Sequence, residues 1–510
     1  MPVLHPLFGS CFTQIWRGLV GFGAAITVLA LPPAHAAERI EFFVGPFEPI
    51  LWVDDLAALA KDGTVTERFR PFANRLSTTQ LEELQRFLNW ELDADLVTIS
   101  QFTYWQVGER FLGRMGQVVQ TDSFSNGSQA LRAALIAAAA EGDSITPLEV
   151  MQTFPLETIQ LDYGLLQQII QENRRFFASR AVLMTALRAQ GSAEAIALPP
   201  PASTVDATAL GPYPWKVETL TFQNPLREGD IPFDLYYPAV NTLSARPGES
   251  VPVVVISHGV ASGRGAFVYV ARHLASHGYA VAVPQHDDDN RKYTQFLAGV
   301  DRPPNPITLV SRPRDISLTL DTLTTLAQTD RRYAALDLNN VGVLGHSLGG
   351  FTVLAAAGAE FNFAQLRQNC ALDQRDRPSL NPSLLVQCDM LDLETRAPFQ
   401  LQDPRIRAVF AINPPTQLFF GAEGLAEVTV PTLFVASMAD IVVPAIPEQI
   451  EPYQGLHDPR SLPGRGRKRH PLFFPRWQPH LRGHSPTQHP ARPRPTAGPT
   501  LFKGTQPGLL

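Results

Sequence analysis

The stretch that decides the fold is Val341-Gly342-Val343-Leu344-Gly345-His346-Ser347-Leu348-Gly349-Gly350, an apolar β-type run that ends in G-x-S-x-G and passes at once into the helix-forming segment Phe351 to Ala357. This is the pattern of a nucleophile elbow, a sharp strand-to-helix turn that holds a serine exposed above a sheet. The glycines are a physical requirement, because the neighbouring backbone comes so close that a Cβ at either flank would clash. A Gly/Ser pentapeptide can arise by chance in a long chain; the strand before it and the helix after it are the context that makes Ser347 a candidate nucleophile.

Working outward, continuous apolar strands alternate with helices. Strands are expected at Pro252 to Ser257, Tyr279 to Pro284, Val341 to Gly345, Arg407 to Ile412 and Thr432 to Ser437, with helices near Phe267 to His277, Arg314 to Thr329 and Gly349 to Ala359. Such a rhythm implies an α/β fold with a mostly parallel, doubly wound sheet covered on both faces. Two further strand-like runs, Lys216 to Phe222 and Ile231 to Tyr237, flank a turn-rich segment and suit an antiparallel start. Before them, residues 37–196 read as a mainly helical domain. Thr79-Gln80-Leu81-Glu82 fits a capping box, with Leu81, Leu84, Leu88 and Leu92 on one apolar face, and Ser128 to Ala140 is a second helix. Residues 197–214, with Pro199-Pro200-Pro201, read as a linker, and 215–456 as the α/β domain. The acids and arginines of the helical part fall on solvated faces and form no catalytic constellation.

With 510 residues the chain is too long for one core. Its 45% apolar and 18% charged residues and net charge of -6 are those of a globular protein, with nothing that points to nucleic acid or an anionic membrane surface. Residues 1–36 read as a secretory signal: Arg17, the apolar run Gly18 to Leu31, and the small-residue site Ala34-His35-Ala36. The run is short for a membrane span, so an exported, periplasmic or secreted, protein is expected, with no stable span once the signal is removed. Cys11 goes with the signal. Cys370 and Cys388 are then expected to pair, and the bridge would contribute roughly 3 kcal/mol by constraining the unfolded chain.

A serine nucleophile needs a base, an orienting acid and an oxyanion hole. In folds with this elbow one oxyanion donor is the N–H of the residue after the nucleophile, here Leu348, and the second comes from the loop after the third strand, Ser257-His258-Gly259-Val260, where the N–H of Val260 is expected to serve. His258 precedes the nucleophile, whereas the triad of this architecture runs serine, acid, histidine, so it is read as shaping the loop. The acid is Asp440, at the end of Pro431 to Ala439, a buried-type strand that delivers its carboxylate to the C-terminal edge of the sheet. A helix-capping role is the alternative for Asp440. His286-Asp287-Asp288-Asp289 lacks convergent metal-ligand spacing and is read as a solvated loop. Cysteine-based chemistry is disfavoured, since the elbow holds Ser347.

With these residues placed, the chain resembles the bacterial α/β-hydrolases related to platelet-activating-factor acetylhydrolase and dienelactone hydrolase, especially the cyanobacterial type with an uncharacterised helical domain in front. The matching stretches are Val254 to Gly259, Leu274 to Tyr279, Arg312-Pro313-Arg314-Asp315-Ile316, Gly345 to Gly350 and Pro431 to Asp440, with Gly108 to Leu112 and Ala130 to Leu135 upstream. The resemblance implies carboxylic-ester hydrolysis through an acyl-serine on lipid-like or short acyl esters, with no metal or organic cofactor. A catalytically silent protein that keeps the same fold as a binding scaffold is the competing expectation.

The chain departs from the resemblance at its C-terminus, where a last strand and a turn should carry the triad histidine. From His457 the 54 remaining residues contain no Val, Ile, Tyr or Glu, but eleven Pro, ten Lys or Arg and five of the twelve histidines. The expectation is therefore a missing final strand and a disordered basic tail, an interaction tail, or translation in a shifted frame. The shifted frame is favoured: synonymous codons for His457 to Phe474, read one base later, give TTPDRYLVVAGSGTHFS, which supplies both strand and histidine. His470 and His457 are the tail histidines that could otherwise stand in as the base.

Overall fold

The computed structural model describes residues 36–44, 46–197, 206, 208–239, 250–370, 381–456 and 472–473. Its larger part is an eight-stranded sheet built from β7 (Trp215–Gln223), β8 (Asp230–Pro238), β9 (Val251–Ser257), β10 (Ala280–Pro284), β11 (Leu336–His346), β12 (Ile406–Ile412), β13 (Thr432–Val435) and β14 (Leu472–Phe473). The smaller N-terminal part contains β1 (Arg39–Phe42), β2 (Ile50–Trp52), β3 (Leu92–Asp93), β4 (Val119–Gln120), β5 (Ser144–Ile145) and β6 (Thr158–Leu161).

The large sheet runs β14-β13-β12-β11-β9-β10-β8-β7. β8 pairs antiparallel with both β7 and β10, and from β10 to β14 every pairing is parallel. All five residues of β10 are buried, which is what a parallel strand covered by helices on both faces requires. The crossover helices are Val268–Ser276, Thr308–Thr329 and Leu348–Ala356. This is the expected α/β architecture, with three adjustments. β11 starts five residues before the expected Val341. β13 stops at Val435, leaving 436–440 as a loop. The helix expected from Arg314 begins at Thr308 and runs through Pro313. That extension carries Arg312 into the interior.

The final strand is corrected as well. Among the described residues Leu472 and Phe473 do form a strand, pairing with Phe434 and Val435 of β13. Two apolar residues in a polar tail suffice for two rungs of ladder, and an alternation test over a longer window misses them. His457 and His470 lie outside the described residues.

The N-terminal part has its own core around Leu56, Leu59, Leu88, Ala134, Phe154 and Ile159. It is not purely helical: β2-β1-β6-β4 form a sheet and β3-β5 a second pair. Strands of two to four residues are too short to show a period of two. The capping box closes on Ser77 and Gln80, two residues before the one expected, since Ser77-Thr78-Thr79-Gln80 satisfies the same S/T-x-x-E/Q pattern. Its helix ends at Leu88, and Leu92 belongs to β3.

The two parts touch extensively. Arg110 donates to the Leu385 carbonyl at 3.2 Å and pairs with Asp389, and Gln106 meets Asp392 at 2.9 Å. Trp105 sets its ring edge-on to Tyr293 and Phe296. The long helix Tyr163–Ala197 packs Leu183 and Met184 against Ala436, Met438 and Ala445, beside Asp440. Part of the expected linker lies outside the described residues; its end is pinned, with Gly211 and Tyr213 donating to Ser276. Cys370 and Cys388 are disulfide-bonded, their Cα atoms 5.6 Å apart. No helix among the described residues is long and apolar enough to cross a membrane.

Candidate active site

Ser347 stands between β11 and the helix Leu348–Ala356 with φ +54° and ψ −124°. A non-glycine residue at such an angle is strained and is held there only by its surroundings. Those surroundings are visible at the two flanking glycines. A Cβ on Gly345 would lie 2.0 Å from the Gly349 carbonyl oxygen, and one on Gly349 would lie 2.0 Å from that of Ser257. The Ser347 N–H donates to the Ile412 carbonyl at 2.8 Å, tying the elbow to the end of β12.

The Gly350 and Phe351 N–H groups return to the Ser347 carbonyl. Among the described residues the N–H of Leu348 meets no acceptor, as befits the first residue of a helix, and neither does that of Val260. The Val260 loop lies against the elbow: a Cβ on Gly259 would be 3.4 Å from the Ser347 Cβ. Two donors without acceptors thus flank Ser347, the arrangement needed to stabilise an oxyanion.

Asp440 lies at the same C-terminal edge. Its Oδ1 accepts from the Val442 and Val443 N–H groups at 2.9 Å, so it does cap the local turn. Its Oδ2 accepts from Asn413 Nδ2 at 3.0 Å. Asn413 immediately follows Ile412, has φ +47°, and accepts the Ser437 N–H on its side-chain oxygen. One residue of β12 therefore binds the elbow and the next binds the carboxylate. Sequence reasoning missed Asn413; an Asn directly after a buried parallel strand is the signal that could have found it, since Asn tolerates a left-handed backbone.

His258 is fully buried. Its Nδ1 donates to the Gly259 carbonyl at 2.8 Å, and its Nε2 accepts the His286 N–H at 3.1 Å. Burial, reinforced by Arg312, lowers its pKa to about 3. It is a neutral bracket for its own loop, as expected. His286 and Asp288, expected in a solvated loop, are instead buried. His286 bonds Ser257 Oγ and Asp315 Oδ2, both at 2.8 Å, while Asp288 pairs with Arg312. Sequence patterning placed these charges outside because each partner lies at least 24 residues away. Burial also drives the His286 pKa well down and pushes that of Asp315 up to about 7, against the pull of Arg227 and Asn224. Ser257, His286 and Asp315 have the hydrogen-bond order of a serine–histidine–acid relay, but all three are 0% exposed, so the relay supports the loop and meets no substrate.

Five histidines belong to the described residues, His258, His273, His277, His286 and His346, and none is hydrogen-bonded to Ser347 or Asp440. His346 sits in the elbow, its pKa lowered by burial and partly restored by the charge of Asp440. No group of three His, Cys, Asp or Glu among the described residues is placed to hold a metal ion.

Comparison with known proteins divides along the same lines as the structure. Residues 36–162 match the family described as "Alpha/beta hydrolase of unknown function (DUF1400)", and residues 232–311 match "Platelet-activating factor acetylhydrolase, isoform II". The platelet-activating factor acetylhydrolase of Cavia porcellus is 26% identical over 159 residues, a match covering 25% of this chain and 36% of that protein. The chain thus spans about a third of the length of the curated relative it matches.

Proposed function

We propose that this chain, an α/β-hydrolase of the platelet-activating-factor-acetylhydrolase type, is a serine carboxylic-ester hydrolase that forms an acyl intermediate on Ser347. The observation that carries this reading is the strained Ser347 beside two backbone donors that lack acceptors, the N–H groups of Val260 and Leu348. In the first half-reaction Ser347 Oγ attacks the ester carbonyl and gives its proton to a base. The carbonyl electron pair moves onto oxygen and is held by those two N–H groups; its return expels the alcohol, which takes the proton. Water then repeats the sequence and releases the acid. Asp440, whose Oδ2 already accepts from Asn413, orients the base.

The substrate class is lipid-like or short acyl esters, carried over from the relative's name alone. Export by the N-terminal signal belongs to the same proposal.

The base is the incomplete part. In sequence Phe473 is followed by Phe474, Pro475 and Arg476, and the next histidine is His480. One set of synonymous codons for residues 457–474, read one base later, would restore a histidine in a small-residue turn after an apolar strand, and the gene's nucleotide sequence around codon 456 tests it. The chain as it stands would then work at the residual level that an oxyanion hole and binding sustain, on the order of 10³ to 10⁴ over water. The absence of a histidine on Ser347 or Asp440 among the described residues favours a second reading, a non-catalytic binding protein with the hydrolase fold. Hydrolysis of p-nitrophenyl acetate by the full chain, its Ser347→Ala variant and a frame-restored chain separates the two: equal rates for all three contradict the esterase.

A further inference from the structure

We propose that Arg312 is a positioning residue for the oxyanion hole: its buried guanidinium clamps the peptide between Gly259 and Val260 so that the Val260 N–H faces the elbow. The inference rests on the esterase reading above and deepens it, because it concerns what makes one of the two oxyanion donors available.

Arg312 is 0% exposed and makes four hydrogen bonds. Nε donates to Asp288 Oδ1 at 2.9 Å, Nη1 to the His258 carbonyl at 2.9 Å and to Thr352 Oγ1 at 3.3 Å, and Nη2 to the Gly259 carbonyl at 3.2 Å. The planar fork of the guanidinium is what allows one side chain to hold two successive carbonyls together with a carboxylate. Asp288 works from both ends: its carboxylate neutralises Arg312, and its carbonyl accepts the Ala261 N–H at 2.9 Å. Ala261 has φ +50°, so this contact helps hold a strained residue in place. The carbonyls of residues 258 and 259 and the N–H of residue 261 are therefore all engaged. Among the described residues the Val260 N–H in this run meets no acceptor.

Peptide geometry turns that clamp into an orientation. The 259–260 bond is trans, and in a trans peptide the carbonyl of one residue and the N–H of the next point in opposite directions within one plane. The Gly259 carbonyl receives two donors, Arg312 Nη2 and His258 Nδ1, both from the buried side. With the oxygen held inward, the Val260 N–H must face outward. Swinging it inward would strip a buried guanidinium and a buried imidazole of an acceptor, a heavily disfavoured state. The His258 bond requires its proton on Nδ1, and the His286 N–H donating to Nε2 selects that tautomer. His286 is in turn fixed by Ser257 and Asp315. The same guanidinium reaches Thr352, whose hydroxyl donates to the Leu348 carbonyl at 2.7 Å in the first turn of the nucleophile helix. Arg312 thus ties together the two segments that provide the oxyanion donors.

The test compares the full-length protein with Arg312→Met, Arg312→Lys and the milder His258→Phe. Three quantities are measured: Ser347-dependent kcat and KM for p-nitrophenyl acetate, the inhibition constant of a trifluoromethyl ketone, whose serine adduct bears the oxyanion, and the crystallographic orientation of the 259–260 peptide. For Arg312→Met we expect kcat to fall about 10²- to 10³-fold with KM within about twofold, a parallel weakening of the ketone, and a rotated peptide. Arg312→Lys should recover part of the loss, and His258→Phe should lose about tenfold. A loss that appears in KM, or an unchanged kcat with the peptide unmoved, overturns the proposal. If the parent chain and Ser347→Ala hydrolyse the ester equally, it is the esterase reading that has failed. The peptide orientation in Arg312→Met and His258→Phe crystals still decides the clamp in that case: an unrotated Val260 N–H in both refutes it.

Discussion

The two halves of the candidate site are built in opposite ways. On the nucleophile side, Ser347, Leu348 and Val260 sit on elements fixed by buried contacts. Two glycines tolerate no Cβ, one arginine has four hydrogen bonds, and two histidines have no exposed surface. On the acid side, Asp440 is held by one asparagine and two backbone N–H groups in an exposed turn next to Ile441 and Val442, and the strand beyond it is two residues long. The difference shows that the parts can fail separately. The contacts that hold the proposed oxyanion side are completed within residues 224–414, whereas the proposed base would come from the chain beyond residue 456.

The sharpest way to break this contrast is to supply the histidine that the shifted-frame proposal calls for. A chain re-read from codon 457 in the shifted frame should gain about 10²- to 10⁴-fold in kcat/KM on p-nitrophenyl acetate, the usual contribution of a general base. Asp440→Asn then refines it. In the restored chain the substitution should cost a large part of that gain, while in the chain as it stands it should cost less than about tenfold, since an acid with no base to orient has little effect. Parallel losses in both backgrounds would mean that a base is already in place.

Next in size is a stability difference. Replacing both Cys370 and Cys388 by Ser should lower unfolding free energy by about 3 kcal/mol, read from denaturant midpoints, while leaving the Ser347-dependent rate within about twofold.

The smallest expected effect is in the pH response. The folded-state pKa of His258 is depressed to about 3 from an ordinary value near 6.5. The unfolded chain therefore binds the extra proton first, and stability falls as pH drops from about 6.5 toward 3. His286 shifts in the same direction. Asp315, raised to about 7, acts in the opposite direction, so the His258 contribution is read as a difference: the urea midpoint of the parent relative to His258→Gln should fall from about pH 6.5 toward about 4, and a pH-independent difference would indicate that His258 is solvated.

These contrasts also explain what could be read from the chain beforehand. The elbow, the alternation of strands and helices along the chain and the disulfide were legible because each depends on local pattern or simple cysteine arithmetic. The support beneath the oxyanion loop was not. Arg312 and Asp288 are 24 residues apart, Arg312 and His258 are 54, and His286 and Asp315 are 29. A charged residue that reads as solvated along the chain becomes structural only when its partner arrives from another element. Asn413 was hidden for a related reason, since its role is set by a carboxylate 27 residues later. The N-terminal strands escaped because two- to four-residue segments carry no periodicity.

Peptide mapping of Ser347 after exposure to p-nitrophenyl acetate tests the central claim most directly. An acetyl group on Ser347 is predicted in both chains: on the shifted-frame proposal it should accumulate in the chain as it stands and form and clear quickly once the frame is restored. A Ser347 that stays unmodified in both chains, with turnover equal to that of Ser347→Ala, would contradict it.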